Sequence, residues 1–271
     1  MRDDIEMVKE VVGVKAEMEF AVLSYYPSVV TSENINVGIA LHNKNNDARR
    51  FHLMKNWRRL ESFDDELNIE YMRTYLNGIK AEVENNLFNE GSFSLESYVQ
   101  GFVNELRFGE VCSAKTNDVD EFIDQTCKIY MRRDYEKRER LSKGDEKKYL
   151  KSYMTGAGIG YSTDPVCGKF SEPIAYDFRV GNYGFKFFSF ENKDLRRMFN
   201  SAKAWAFSAQ SIADEIYTIF IYDEELSNNE NYSIVKQILS QNAEFVSVEN
   251  VVRIIEKAGK RADKKMRLAV A

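Results

Sequence analysis

The chain has 271 residues, 44% of them hydrophobic and 30% charged, which is enough to build two modest hydrophobic cores. Its net charge of −5 gives no general attraction to nucleic acid, so any contact of that kind has to be local. Cys112, Cys127 and Cys167 form no CxxC pair and leave one cysteine over, which argues against a disulfide framework or a zinc site and indicates a reducing cytoplasm. Neither an export signal nor a run of about 18 apolar residues is found, so no membrane association is predicted.

The first part of the chain, residues 1–115, predicts an α+β domain built on a small antiparallel sheet. Alternating apolar residues indicate strands at 18–26, 34–42, 50–54 and 108–113. The second and third of these strands are predicted to form a hairpin. Apolar residues at helical spacing predict helices at 3–14, 56–65, 69–88 and 94–106.

The segment FAVLSYYPSVVTSENINVGIALH combines an aromatic-rich strand, a Tyr-x-Pro turn, an acidic loop and an Asn-Val-Gly strand. This pattern resembles the opening of the DUF3037 family, a domain of unknown function, over about the first 110 residues. Family members usually have an Arg-Gly-Glu-like stretch where this chain has Thr31-Ser32-Glu33-Asn34. Members often lie near bacterial conflict or toxin–antitoxin-like genes, so the resemblance implies a setting and not an activity. The matching residues are Tyr25, Tyr26, Pro27, Glu33, Asn36, Val37 and Gly38.

The middle of the chain, residues 116–153, predicts a helical connector. Val119–Tyr130 has helical apolar spacing, and 133–153 carries charges of alternating sign three or four positions apart. That charge pattern is typical of a solvated, salt-bridged helix. A glycine-rich stretch at 155–165 then marks the start of a C-terminal domain.

The C-terminal part, residues 154–271, predicts an α/β domain with a mixed sheet and the element order ββαβαβα. Residues 216–222 form a near-continuous apolar run, as in a strand covered on both faces. The remaining elements after the first two strands are predicted at 194–214, 229–239, 243–247 and 248–260.

Residues 174–193 predict the β-hairpin on which this domain is organised. A three-residue turn at 182–184 keeps the apolar residues on one face, whereas a turn of two or four residues mixes apolar and polar residues. In the three-residue register Arg179 faces Phe187. The polar face then holds Asp177, Glu191 and Lys193.

The spacing of Asp177 and Glu191-Asn192-Lys193 resembles the metal-dependent core of PD-(D/E)xK nucleases. In such a core the two carboxylates bind Mg²⁺, and the lysine steadies the attacking water or the scissile phosphate. Asp177 and Glu191 are therefore candidate metal ligands and, with Lys193, candidate catalytic residues. Ala-Tyr stands where the nucleases have a proline before the aspartate, and Glu139 and Glu146 are the candidates for a further acidic ligand.

The same residues also fit a structural role. In that interpretation Asp177 and Glu191 are solvent-facing strand residues paired with Arg179 and Lys193, since short matches of this kind are common by chance. A degenerate, non-cutting nuclease fold lies between the two interpretations.

Two other residue sets predict structure rather than chemistry. Gly156, Gly158 and Gly160 lack the strand-to-helix context and the GK[ST] of a phosphate loop, which favours a flexible interdomain loop. His42 and His52 are the only histidines and have no third ligand nearby in sequence, so both are predicted as surface or strand-end residues.

A basic cluster interleaved with aromatic residues follows the first hairpin. It can hold phosphates and stack a base, or it can dock another protein with Trp57 and Arg58 as anchors. A third interpretation packs Trp57 in the core beside charges that pair with Glu61, Asp64 and Asp65. Protein docking is preferred because the whole chain is acidic. The candidate partner-binding residues are Arg49, Arg50, Trp57, Arg58 and Arg59.

The sequence therefore predicts a cytoplasmic, non-enzymatic protein-interaction module of a bacterial or phage conflict system, with a protein partner and no cofactor. Nucleic acid and a second copy of the chain are the other partners considered. The alternative function is a Mg²⁺-dependent nuclease, active or degenerate.

Overall fold

The structure is a computed structural model that describes residues 15–28, 30, 33–85, 93–188, 194–222 and 230–270. The chain divides into two compact units, Met1–Asp124 and Gln125–Ala271. Helices and both antiparallel and mixed sheets are present, so the predicted α+β class is confirmed. The helix predicted at 3–14 lies outside the described residues. No helix in the described part of the chain is long and apolar enough to cross a membrane.

The N-terminal unit is built on a five-stranded antiparallel sheet. Strands β3, β2, β1 and β4 lie side by side in that order. Strand β4 pairs with the end of β1, and β5 pairs with its beginning. The predicted hairpin of the second and third strands is confirmed, since β2 pairs with β3 in antiparallel register. The strands are β1 Ala16–Tyr25, β2 Ile35–Asn43, β3 Ala48–Leu53, β4 Leu106–Phe108 and β5 Cys112–Thr116.

Three helices accompany these strands, α1 Trp57–Phe63, α2 Ile69–Asn85 and α3 Leu95–Val99, and α4 Val119–Tyr130 follows β5. Helix α2 packs against β3, and the Phe51 backbone N–H donates to Oε1 of Glu84 at 3.1 Å. Burial of each apolar side chain of α2 stabilises the fold by about 1.5–3 kcal/mol. The buried residues of α2 are Met72, Leu76, Ile79 and Val83.

Gly38, the glycine of the Asn-Val-Gly motif, lies directly beneath the ring of Phe51. A Cβ atom at this position would lie 2.4 Å from Cζ and 2.6 Å from Cε1 of that ring. Phe51 is itself buried, so its ring has no free space into which to move. The motif glycine therefore permits the close approach of β2 and the side chain of β3.

We predict that Gly38→Ala destabilises the protein by about 1–3 kcal/mol, because overpacking a well-filled core forces its neighbours out of position. The free energy of unfolding in urea measures the effect. Gly78→Ala is the matched control, since a Cβ there meets no atom within 4 Å and Gly78 lies on the exposed side of α2. The control should be neutral or stabilising by about 0.5–1 kcal/mol, since alanine favours helix.

The helix predicted at 94–106 is wrong in length. Only Leu95–Val99 is helical, and Leu106–Phe108 forms strand β4 instead. The Tyr26 backbone N–H donates to the carbonyl of Glu105 at 2.7 Å, and Leu106 pairs with Tyr25. Pairing with β1 therefore prevails over the helical spacing at the end of this segment.

The C-terminal unit contains a four-stranded mixed sheet in the order β11-β10-β9-β8. Strands β9, β10 and β11 run parallel, whereas β8 is antiparallel to β9. The predicted mixed sheet and the order ββαβαβα are confirmed. The strands are β6 Val166–Cys167, β7 Pro173–Ile174, β8 Phe178–Val180, β9 Tyr183–Phe187, β10 Tyr217–Tyr222 and β11 Ala243–Ser247.

Helices cover this sheet. Phe220 of β10 clusters with buried residues of α6 and α7, and α8 contacts β8, β10 and β11. The interior of β10 is fully buried, as its apolar run predicted. Because the three parallel strands point the same way, their carboxyl ends meet at one edge of the sheet. The helices are α5 Lys143–Gly156, α6 Leu195–Ser211, α7 Glu230–Leu239 and α8 Val248–Val270, with 3-10 turns at Arg132–Asp134 and Lys137–Glu139.

The three-residue turn predicted for the β8–β9 hairpin is wrong. Val180 pairs with Tyr183, so the loop has two residues, and Arg179 faces Gly184 instead of Phe187. The turn glycine is Gly181, with φ at +55°, which is a conformation that two-residue hairpin loops favour. The apolar face survives the change of register, since the residues predicted to form it on the first arm are buried. These residues are Ile174, Tyr176, Phe178 and Val180.

Candidate functional site

Asp177, the first candidate metal ligand, is held by two lysines and a backbone amide. Its Oδ1 lies 2.7 Å from Nζ of Lys147, and its Oδ2 accepts the Phe187 backbone N–H at 2.8 Å. The Nζ of Lys186 lies 3.9 Å from the same Oδ2. Both carboxylate oxygens are thus engaged within the unit, and the Asp177 side chain is only 14% exposed. The observed cations beside Asp177 are Lys147 and Lys186 and not the predicted Arg179.

The two acidic residues predicted as candidates for a further ligand have partners elsewhere in the unit. Glu191 and Lys193 lie outside the described residues. Glu146 is buried and forms an ion pair with Arg132, and Glu139 accepts a backbone N–H in a 3-10 turn. Among the residues that the structure describes, no group of three or more His, Cys, Asp or Glu side chains is arranged to hold a metal ion.

We predict that Asp177→Ala lowers the stability of the C-terminal unit by about 1–3 kcal/mol, because Lys147 and the Phe187 amide both lose their acceptor. Denaturant unfolding followed by circular dichroism measures the loss. Asp214→Ala, a change at an exposed aspartate, is the control and should stay within about 0.5 kcal/mol of the wild type. Equal stability of both variants would contradict the structural role of Asp177.

The predicted basic cluster is divided at its start by the alternation of strand β3. Nη2 of Arg49 lies 3.2 Å from Oδ2 of Asp47, and its guanidinium lies 5.1 Å from the Phe93 ring centre. Nη1 of Arg50 lies 3.2 Å from Oδ1 of Asp120 instead. Neighbouring strand residues point to opposite faces. These two arginines therefore serve different surroundings, and each has a carboxylate partner of its own.

The remaining members of the cluster lie at the start of α1. The guanidinium of Arg73 covers the Trp57 ring at 4.7 Å from its centre, so a cation–π contact within the unit occupies one face of the indole. Arg58 is exposed, and the backbone N–H of Arg59 is capped by the Asn56 side chain. The predicted partner-binding residues thus lie in three separate environments.

His42 lies next to the end of β2, as one of its two predicted positions requires, but it is buried and not on the surface. Its Nε2 lies 2.9 Å from Oδ1 of Asp47, and its Nδ1 lies 3.5 Å from Oε2 of Glu19. The surface alternative is wrong because Phe93 packs against His42, with its ring centre 5.4 Å from that of the imidazole.

The Tyr-Tyr-Pro motif ties β1 to its neighbours. The hydroxyl of Tyr25 donates to Oδ2 of Asp64 at 2.6 Å, at the C-terminal end of α1. The guanidinium of Arg107 in β4 lies 4.7 Å from the ring centre of Tyr26. Burial and the hydrogen bond to Asp64 raise the pKa of the Tyr25 phenol well above its ordinary value, with the charge of Glu105 contributing.

A pH dependence follows from Tyr25. The pKa of Tyr25 is higher in the folded protein than in the unfolded chain. Its contribution to the free energy of unfolding is therefore complete below the ordinary pKa of 10.0 and is lost as the pH rises above that value. We predict that Tyr25→Phe costs about 1–2 kcal/mol at pH 7, when Asp64 loses its donor. The difference in unfolding free energy between wild type and variant, followed from pH 7 to pH 11, should shrink as the pH rises. A difference that stays constant would argue against the raised pKa.

A groove in the N-terminal unit was missed from the sequence. It lies between α2 and the segment that precedes β4, and its volume is about 320 Å³. Three of its large side chains are exposed, Tyr71 by 68%, Tyr75 by 48% and Val103 by 69%. We call it the aromatic groove. Its lining residues are Tyr71, Met72, Tyr75, Gly101, Phe102, Val103, Asn104, Glu105 and Leu106.

The two tyrosines of the aromatic groove stack on each other. Tyr71 and Tyr75 are one turn apart on α2, their ring centres lie 6.3 Å apart, and their planes differ by 6°. They lie beside the buried Met72 and Leu76, so a tyrosine pair at i,i+4 next to the apolar stripe was the sequence signal that could have revealed the groove.

A cluster of half-buried aromatic residues supports the floor of the aromatic groove. The ring centre of Phe102 lies 4.9 Å from that of Phe108 and 5.3 Å from that of Tyr98. The Tyr98 hydroxyl donates to Oε2 of Glu82 in α2 at 3.0 Å. The segment 101–106 is thereby fixed to both the sheet and the helix, which makes the groove a preformed surface.

One carboxylate lies in the aromatic groove, and others precede α2 in the chain. Glu105 lies in its lining, and the stretch Glu61–Glu70 that leads into α2 contains five carboxylates and no basic residue. Four of these five residues are exposed, Glu61, Asp65, Glu66 and Glu70. The groove therefore combines apolar contact area with negative charge.

A family model matches the part of the chain that holds the aromatic groove. The model of DUF3037, described as a protein of unknown function, matches residues 20–125. The match supports the resemblance predicted for the N-terminal part, and the matched segment runs from β1 into α4. No curated protein and no solved structure matches the chain.

Proposed function

We propose that the N-terminal unit is a protein-binding module whose aromatic groove takes a basic segment of a partner protein. The observation that carries the proposal is the exposure of Tyr71, Tyr75 and Val103 along one preformed groove. Single exposed apolar residues are normal on a protein surface, but several that line one concavity mark an interaction site. Tyrosine is also among the residues that contribute most at protein interfaces.

The chemistry of the partner follows from the stacked tyrosine rings and from the carboxylate in the groove. Each tyrosine face offers a cation–π contact to lysine or arginine, worth about 0.5–1 kcal/mol where it is exposed. Glu105 in the lining attracts the same cations and repels acidic segments. The apolar floor at Phe102 suits one apolar side chain of the partner next to its basic residues.

The bacterial or phage conflict system implied by the family resemblance is the setting of this proposal, and the partner is then a protein of that system. The basic cluster at Arg49 and Trp57 is not needed for binding, because Asp47 and Arg73 already contact these two side chains. A nuclease function remains the alternative, with Asp177, Glu191 and Lys193 in the roles predicted from sequence and Mg²⁺ as its cofactor.

The test is binding of a fluorescent peptide that alternates lysine and leucine, measured by anisotropy on the full chain. We expect saturable binding that weakens as salt is raised, since the attraction is partly electrostatic. Tyr71→Ser combined with Tyr75→Ser should weaken binding at least about tenfold, the equivalent of about 1.4 kcal/mol. Glu105→Gln should weaken it less. Tyr161→Ser, at an exposed tyrosine of the other unit, is the control.

Equal binding by the tyrosine variants and by the control would overturn the proposal. So would equal affinity for a peptide of the same length that alternates glutamate and leucine. Mg²⁺-dependent cleavage of DNA or RNA by the wild type, lost in Asp177→Ala at a temperature where the variant is folded, would favour the nuclease alternative instead.

A further inference from the structure

Two exposed phenylalanines stack on each other at the surface of the C-terminal unit. Phe170 is 69% exposed and Phe207 is 52% exposed. Their ring centres lie 6.0 Å apart, and their planes differ by 6°. Phe207 lies on α6, and Phe170 lies in the loop between β6 and β7. Phenylalanine is usually buried, so an exposed pair from two separate elements indicates an interaction surface.

The loop that carries Phe170 is held by its own hydrogen bonds. The Phe170 backbone N–H donates to Oε2 of Glu172 at 2.8 Å, and the Ser171 backbone N–H donates to the carbonyl of Gly168 at 3.0 Å. Ser171 has φ at +64°, a left-handed conformation that residues other than glycine adopt only where their surroundings impose it. The exposed position of Phe170 is therefore fixed by the structure of the loop.

The exposed face of α6 extends from Phe207 towards the start of the helix. Positions 196, 200, 203 and 207 recur three or four residues apart, so they lie along one stripe, and all four residues are exposed. The stripe is about 16 Å long, because a helix rises about 1.5 Å per residue. We call this stripe together with Phe170 the basic–aromatic face. The residues of the stripe are Arg196, Asn200, Lys203 and Phe207.

The charge of the basic–aromatic face has one sign. Helix α6 contains Arg196, Arg197 and Lys203 and no carboxylate along its 17 residues. None of these three side chains forms an ion pair with a residue that the structure describes. Lys169 in the loop is exposed as well, and the carboxylate of Glu172 already accepts a backbone N–H of that loop. The face therefore attracts a polyanion, although the chain as a whole is acidic.

We propose that the basic–aromatic face binds single-stranded nucleic acid, with phosphates near Arg196 and Lys203 and a base against the Phe170–Phe207 pair. Proteins that bind single strands combine cations along the backbone with aromatic rings on which bases stack. The stripe matches the length of roughly five stacked nucleotides at about 3.4 Å each. An acidic protein segment gains from the cations but does not need an aromatic ring, so the ring pair favours nucleic acid. The proposal is independent of the aromatic groove, which lies in the other unit.

The test is fluorescence anisotropy of labelled oligothymidine and oligouridine of about 12 nucleotides, titrated with the full chain at several salt concentrations. We expect saturable binding, and the tighter of the two oligonucleotides identifies DNA or RNA as the preferred strand. Phe207→Leu should raise the Kd at least about fivefold, because leucine keeps the apolar contact but removes the stacking ring. Phe207→Tyr should keep the wild-type Kd. Lys203→Gln should raise the Kd and lower the slope of log Kd against log salt by about 0.7.

Lys148→Gln and Tyr71→Ser are the controls, because Lys148 is an exposed cation on α5 and Tyr71 is an exposed ring of the N-terminal unit. Both should keep the wild-type Kd and salt dependence. The proposal is overturned if neither oligonucleotide binds, or if the controls lose as much affinity as Phe207→Leu and Lys203→Gln. It is also overturned if Phe207→Leu binds as tightly as Phe207→Tyr. Tighter binding of a peptide that alternates glutamate and leucine would then assign the face to an acidic protein segment.

Discussion

The pairing of strand β1 is the constraint on which the N-terminal unit depends. One long edge of β1 pairs with β2, and the other is divided between the short strands β4 and β5. Because β4 must reach Tyr25, the chain between α3 and β4 has to leave the helix and turn outwards. That turn forms one wall of the aromatic groove, with α2 as the other. The surface proposed to bind a partner is therefore a consequence of how the sheet is completed.

The residues of the sequence motif stabilise the fold, whereas different residues form the proposed binding surface. Gly38 and Tyr25 hold the sheet and α1 in place, and neither lines the aromatic groove. Tyr71 and Tyr75 line the groove instead, and because they are exposed they contribute little to the core. Substitution of such exposed residues usually leaves the fold intact. The motif is thus explained by packing and hydrogen bonding, and the recognition surface has to be sought beside it.

Much of the fold could be predicted from the sequence, because strongly periodic segments decide their own structure. The apolar run of β10 and the stripe of α2 are examples. The hairpin turn could not be predicted, since Gly181 and Gly184 both suit a turn and only the sheet pairing decides between them. The partners of the candidate site residues could not be predicted for a related reason. Asp177 and Arg49 look available in the sequence, but Lys147 and Asp47 reach them only in the folded chain.

The most direct test of the account is hydrogen exchange, read by mass spectrometry, on the full chain with and without a bound lysine–leucine peptide. The account predicts slower exchange at residues 71–75 and 101–106, which form the two walls of the aromatic groove, and unchanged exchange at residues 48–59. Protection at 48–59 with none at the groove walls would contradict it, because the partner would then dock on the basic cluster around Arg49 and Trp57.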